Sequence, residues 1–136
     1  MSSSIWNDSL LTGITLIDDQ HRELISRMDQ LMQATRVGKG QTEVDQTLRF
    51  VVSYTQEHFK DEEGLQLKYN YPDIDKHKAL HAGFVKTVID LLLEFQKTGT
   101  SPGLTSKINK TLVQWLIQHI RIEDKKLAAH LAQFDI

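Results

Sequence analysis

His77-Lys78-Ala79-Leu80-His81 sets two histidines four residues apart. That spacing places side chains on one face of a helix, about one turn from each other. Two imidazoles so placed can grip one metal ion. Working outward, Ile74, His77, His81, Phe84, Val88, Leu91 and Phe95 recur at steps of three and four, the pattern of a helix with one inward seam. The helix predicted on this seam follows the turn Asn70-Tyr71-Pro72 and runs to about Lys97. Pro72 suits its first position, with Asn70 or Asp73 near the cap. The first half of the seam carries candidate ligands and the second half is hydrocarbon.

Three further stretches read the same way. A first helix starts at Asp18 or Asp19 as N-cap and runs to about Val37, stopping at Gly38 and Gly40, with Ile17, His21, Leu24, Met28 and Leu31 as its seam. A second runs from about Thr42 to Tyr69 along Val44, Leu48, Val51, Thr55, His58, Glu62 and Leu65. It is weakened at Gly64 by roughly 1 kcal/mol relative to alanine. A fourth runs from about Leu104 to Leu131 along Ile108, Leu112, Trp115, His119 and Ile122, after a loop from Thr98 to Gly103. Residues 1–17 read as an extended arm in which Trp6, Leu10, Leu11, Ile14 and Ile17 can pack on the core. Four rods with short connections give an all-α, antiparallel up-down-up-down four-helix bundle at 18–131, within one domain over 1–136.

Bulk properties narrow the chemistry. The chain has 136 residues, 40% hydrophobic and 25% charged, with formal net charge −2, ordinary values for a globular protein. Scattered Lys and Arg offer no nucleic-acid surface. The absence of cysteine excludes disulfides, zinc-thiolate and iron–sulfur sites. No signal peptide is expected in the polar stretch Met1 to Leu10. The run Val88 to Leu93, broken by Asp90, is far too short to span a bilayer. A cytoplasmic chain without nucleic-acid or membrane partners is the expectation.

Five of the six histidines and two carboxylates fall on inward faces: His21, His58, Glu62, His77, His81, His119 and Asp124. Burying such groups costs on the order of several kcal/mol unless they are paired or hold an ion. In an up-down-up-down bundle all seven lie toward the same end, and the other end, with Leu31, Leu48, Val88, Leu91 and Leu112, is plain hydrocarbon. One spacing resists. His119 and Asp124 are five apart, about 140° around an ideal helix. Either Asp124 reaches from the flank, or the helix is locally widened by one residue. Five imidazoles and two carboxylates exceed what one ion can use. Two ions sharing both carboxylates and an oxo or hydroxo bridge would use them all, leaving one position open. Nitrogen and oxygen ligands with an open octahedral site suit iron better than zinc or magnesium. Glu63 faces about 100° away from Glu62 and reads as a solvated or outer residue; His130 reads as a surface histidine.

The pattern His21, His58-x3-Glu62, His77-x3-His81, His119-x4-Asp124 resembles the hemerythrin family, most of all its bacterial single-domain members. Gly13-Ile14, Ile17-Asp18-Asp19-Gln20-His21, His58-Phe59-Lys60-Asp61-Glu62-Glu63, Tyr71-Pro72 and His119-Ile120 add to the likeness. The resemblance implies that His77, His81 and His119 bind a coordinatively full iron and that His21 and His58 bind an open one. Glu62 and Asp124 would bridge them, and Trp115 and Leu116 would line an oxygen pocket. Gln66 stands where a methionine is expected, and Leu127 lies where relatives vary.

The expected function is reversible dioxygen binding for storage, transport or delivery, by a non-enzymatic monomer that hands oxygen to a protein acceptor. Uptake leaves the formal charge of such a site unchanged if the bridging proton moves onto the bound molecule, so no large solvation cost opposes binding or release. Only two carboxylates reach the metals, whereas four-glutamate di-iron sites favour irreversible oxidation. The alternative is an enzyme or sensor handling nitric oxide or peroxide, although a sensor needs an output domain for which the chain has no room. A structural or metal-storage bundle is the third reading.

Overall fold

A computed structural model describes residues 6–36, 41–99 and 102–134. Among them the secondary structure is helical, apart from turns and the arm. Helix α1 spans Thr15–Arg36, α2 Gln41–Lys68 and α3 Ile74–Thr98. The fourth rod, residues 102–131, is a chain of pieces: α4 Pro102–Ile108, a π-turn Asn109–Val113, α5 Gln114–His119, a second π-turn Ile120–Asp124, and α6 Lys125–Leu131. α2 packs on both α1 and α3, and the fourth rod closes the square against α1 and α3. The expected four-helix bundle is the fold.

Its boundaries differ from the expected ones for identifiable reasons. α1 begins at Thr15, and Asp18 in its first turn is not the cap. Its Oδ1 accepts from the Thr12 backbone N–H at 2.8 Å and from Thr12 Oγ1 at 2.8 Å, and Oδ2 from Gly13 N–H at 3.0 Å. The buried carboxylate thus straps the arm to the bundle, with Gly13 at φ 90° making the corner. Pro72 lies in the turn ahead of α3, whose N-cap is Asp73. α3 stops at Gly99, where φ 74° lets its N–H reach Phe95 O at 2.7 Å. The loop expected at Thr98 to Gly103 is therefore shorter, since Thr98 and Gly103 are helical; Thr100 and Ser101 lie outside the described residues. So do Val37, Gly38 and Gly40, on which the end of the first helix was expected. In the arm, Leu10 is fully buried and Trp6 packs on the core, whereas Leu11 is exposed.

The seams of α1 and α3 are buried as their periodicity predicts, except Ile74, which is half-buried. Two others shift. On α2, Leu65 is only half-buried and Gln66 takes the inward place. On the fourth rod, Ile122 is 46% exposed and Asp124 is buried. Hydrocarbon lies on both sides of the polar level. The large cluster includes Leu31, Leu48, Val88, Leu91, Ile108 and Leu112, and a smaller one joins Ile17, Tyr71, Leu127 and Leu131. Each such side chain contributes about 1.5–3 kcal/mol on burial, which offsets the cost of the polar layer between them.

Gly64 sits exposed in α2, and a Cβ there would meet nothing within 4 Å. Gly64→Ala should stabilise the protein by about 0.5–1 kcal/mol, read as a shift of the urea midpoint with unchanged slope. A variant that unfolds earlier than the parent would contradict this.

Candidate metal centre

All seven side chains singled out in the sequence are buried, and they converge on one level of the bundle. α1 brings His21, α2 brings His58 and Glu62 from its later turns, and α3 brings His77 and His81 from its first ones. α5 ends on His119. The π-turn after it inserts one residue, so Asp124 comes round to the inward face five positions later. Local widening, and not a reach from the flank, places it. The same extra residue turns Ile122 outward.

The atoms fall into two groups that share the carboxylates. In the first, Glu62, His77, His81, His119 and Asp124 offer atoms within 4.8 Å of one another. His77 Nε2 lies 3.0 Å from Glu62 Oε1, 3.0 Å from Asp124 Oδ1 and 3.1 Å from His119 Nε2. His81 Nε2 lies 3.2 Å from Glu62 Oε1 and 3.1 Å from His119 Nε2, and His119 Nε2 lies 3.2 Å from Asp124 Oδ1. In the second group, His21 Nε2 is 3.0 Å from Asp124 Oδ2 and 3.9 Å from Glu62 Oε2, and His58 Nε2 is 3.5 Å from Glu62 Oε2. Each carboxylate therefore turns one oxygen to each group.

This donor set fits a pair of cations. Gln20 Nε2 donates to Asp61 Oδ2 at 2.8 Å, so its Oε1 is what faces His58 Nδ1 at 2.7 Å, and that nitrogen must donate. Glu63 Oε2 lies 2.9 Å from His81 Nδ1, which likewise donates. Both imidazoles then present the bare lone pair of Nε2 to the site. His21 Nε2, both Glu62 oxygens and Asp124 Oδ2 are buried without an aligned hydrogen bond, despite short approaches. Lone pairs crowded on one another and left unsatisfied are costly, and a positive ion between them removes the conflict.

In the metal-free chain these same groups shift one another's protonation. Burial pushes His77 down, but the Asp124 and Glu62 carboxylates facing it prevail and hold it up at about 9. Burial pushes His58 down to about 4, and burial with the neighbouring His77 pushes His81 down to about 3. Burial, with the charge of Asp124, raises Glu62. Burial also opposes ionisation of Asp124, but His119, His21 and His77 around it hold it well below the usual carboxylate range.

The sign of the pH dependence follows. His77 stabilises the metal-free fold below its ordinary 6.5, and that contribution fades as pH climbs to about 9. Raised Glu62 acts in the same sense. His58 and His81 act oppositely: below 6.5 the unfolded chain takes up their protons first, so stability falls as pH drops toward about 4. The melting midpoint of chelator-treated protein should peak in the neutral range and fall on both sides. A midpoint that climbs steadily to alkaline pH would contradict it.

Trp115 stacks on the His119 ring at 4.5 Å and on Phe84 at 4.2 Å, and Leu116 is buried in the large core cluster. A small cleft of about 180 Å³ reaches Trp115 and His119 between Leu80 and Ile122. A second, of about 410 Å³, lies behind the buried His81, between Phe59, Lys60, Glu63 and Lys78. Glu63, expected as a solvated or outer residue, is the outer group behind His81, whereas the role of Gln20 was not legible on single-helix periodicity, although it adjoins a seam residue in sequence. Phe59, stacked face to face on His81 at 3.6 Å, was also missed. His130 is not a plain surface residue: it is half-buried, with Nε2 2.7 Å from Tyr69 O and its ring against Tyr71.

The family model "Hemerythrin HHE cation binding domain" matches residues 12–131. A bacteriohemerythrin of Stenotrophomonas maltophilia is 35% identical, over 98% of this chain and 88% of its own. A myohemerythrin of Theromyzon tessulatum is 25% identical over 93% of this chain and 92% of its own. A crystal structure of a hemerythrin mutant superimposes with a TM-score of 0.84 at 26% identity, covering 97% of this chain and 99% of that one.

Proposed function

The chain belongs to the hemerythrin family, and from that premise we propose that it binds dioxygen reversibly at a pair of non-haem iron ions, for storage, transport or delivery. The observation that carries the reading is the split of each buried carboxylate between two groups of imidazoles. His77, His81 and His119 would hold one iron and His21 and His58 the other, with Glu62 and Asp124 across both and an oxo or hydroxo bridge completing the set. The iron pair, when bound, supplies two electrons and one open coordination position. The chain supplies the rest. Five imidazoles bind as neutral ligands, and only two carboxylates add negative charge, which favours release over further oxidation. The position with fewer imidazoles is on the His21 and His58 side. Leu116 and Trp115 would line the oxygen pocket, Leu116 from the buried core and Trp115 from its stack on His119, and hydrocarbon above and below the polar layer would keep water out.

The reading extends to a single-domain, cytoplasmic monomer that hands dioxygen to a protein acceptor and performs no turnover of its own. Among the described residues no helix is long and apolar enough to cross a membrane.

The test is an absorption spectrum of anaerobically reduced, iron-quantified protein before and after adding dioxygen. A charge-transfer band that appears on addition and disappears on purging supports carriage. Rapid conversion to a form that no longer responds to dioxygen overturns it. Steady consumption of nitric oxide or peroxide by the reduced protein would instead make the same centre that of an enzyme.

A further inference from the structure

We propose that Glu63 is a positioning residue for the metal pair, making the two metal positions unequal through the group behind one ligand imidazole. The inference rests on the reading of the cluster as an iron pair. Behind His81, the Glu63 carboxylate oxygen accepts from Nδ1–H at 2.9 Å. Behind His58, the acceptor is the Gln20 amide oxygen at 2.7 Å, whose orientation is fixed by its own donation to Asp61. One imidazole is therefore backed directly by a charged group and the other by a neutral one.

Both contacts do the same geometric task. They put the proton on Nδ1 and leave the Nε2 lone pair aimed at the site. Phe59 fixes the plane of the His81 ring by stacking parallel to it, at 1° and 3.6 Å. The electronic result differs. A carboxylate pulls harder on the Nδ1 proton than an amide does, so Nε2 of His81 becomes the stronger donor. That strengthens the three-histidine position relative to the position held by His21 and His58.

Exposure separates the two as well. The Glu63 side chain is 26% exposed, whereas His81 is 2% exposed. Glu63 shares the roughly 410 Å³ cleft behind His81 with Lys60 and Lys78. This charge behind the ligand is thus reachable from outside the bundle while the ligand is not.

The test titrates iron(II) anaerobically into the full chain and into Glu63→Gln, Glu63→Leu and Gln20→Leu. It also reads the His81 tautomer by nitrogen-15 NMR of the metal-free proteins and the reduction potential of the loaded ones. The parent is expected to take up two ions with His81 protonated on Nδ1. Glu63→Leu should release the tautomer and weaken one of the two uptake steps by about 10- to 100-fold. Glu63→Gln should restore the tautomer, because its amide oxygen still accepts. It should leave part of the affinity loss and raise the potential of the loaded pair. Gln20→Leu should weaken the other step. If the parent takes up two ions and both Glu63 variants match it in affinity and potential, this inference falls alone. A parent that takes up no pair of ions overturns the reading beneath it, and the inference with it. Should Glu63→Leu fail to fold, Glu63→Gln still decides through affinity and potential.

Discussion

Glu62→Ala is expected to abolish paired metal binding. Glu62 turns Oε1 to the His77 and His81 nitrogens at 3.0 and 3.2 Å and Oε2 to His58 and His21 at 3.5 and 3.9 Å. On the proposed reading its loss would remove a ligand from both positions at once. Losing a group that only orients a ligand typically costs 10- to 100-fold in metal affinity, so losing a shared ligand should cost more than about 100-fold for the second ion. Iron analysis after desalting should then fall from two ions per chain to one or none. The size-keeping Glu62→Gln gives a second signature. In the metal-free fold both Glu62 oxygens lack an aligned hydrogen bond, and burial disfavours the charge. Metal-free Glu62→Gln should therefore stay folded, losing little beyond the help Glu62 gives to protonated His77, while gaining far less from added iron. A variant that still holds two ions, or that gains as much as the parent from iron, would contradict the bridging role.

The second large effect is expected from His58→Ala. On the side of His21 only two imidazoles approach the carboxylates, against three on the other. Removing His58 leaves His21 and two shared oxygens there, too few to keep that ion, while His77, His81, His119 and both carboxylates remain around the other. Iron should drop to about one per chain, and the response to dioxygen should vanish altogether. His21→Ala should behave alike. A normal, reversible oxygen spectrum in His58→Ala would mean that the open position has been assigned to the wrong side.

Much of this was legible because helices repeat. The seams of α1 and α3 could be followed residue by residue, since every step along them is an ordinary α-helical step. The same regularity misled on the fourth rod. Carrying a constant step past His119 turns Ile122 inward, but the π-turn at Ile120–Asp124 adds a residue and exchanges Ile122 for Asp124. The five-residue spacing pointed to this alternative, and only the fold chose between widening and reach. The other π-turn, at Asn109–Val113, left no such mark, because its inward residues are hydrocarbon on either reading.

Polar pairs between helices were the least legible. Gln20 with His58, and Glu63 with His81, join residues whose separation in sequence is 38 and 18. No periodicity within one helix encodes which neighbour a flank residue meets. Asp18 was similarly misread, because a carboxylate near a helix start suits a cap as well as it suits the strap it forms with Thr12 and Gly13. Gln66 is buried where hydrocarbon would serve, with both side-chain polar atoms lacking a hydrogen bond; nothing in the structure explains it.

The most direct measurement is anomalous diffraction at the iron edge from crystals of the iron-loaded chain. Two separate peaks are expected at the level of Glu62 and Asp124, one against His77, His81 and His119 and one against His21 and His58, with a carboxylate oxygen from each bridging residue at both. A single peak, or iron absent from a level where the imidazoles stand apart, would contradict the account.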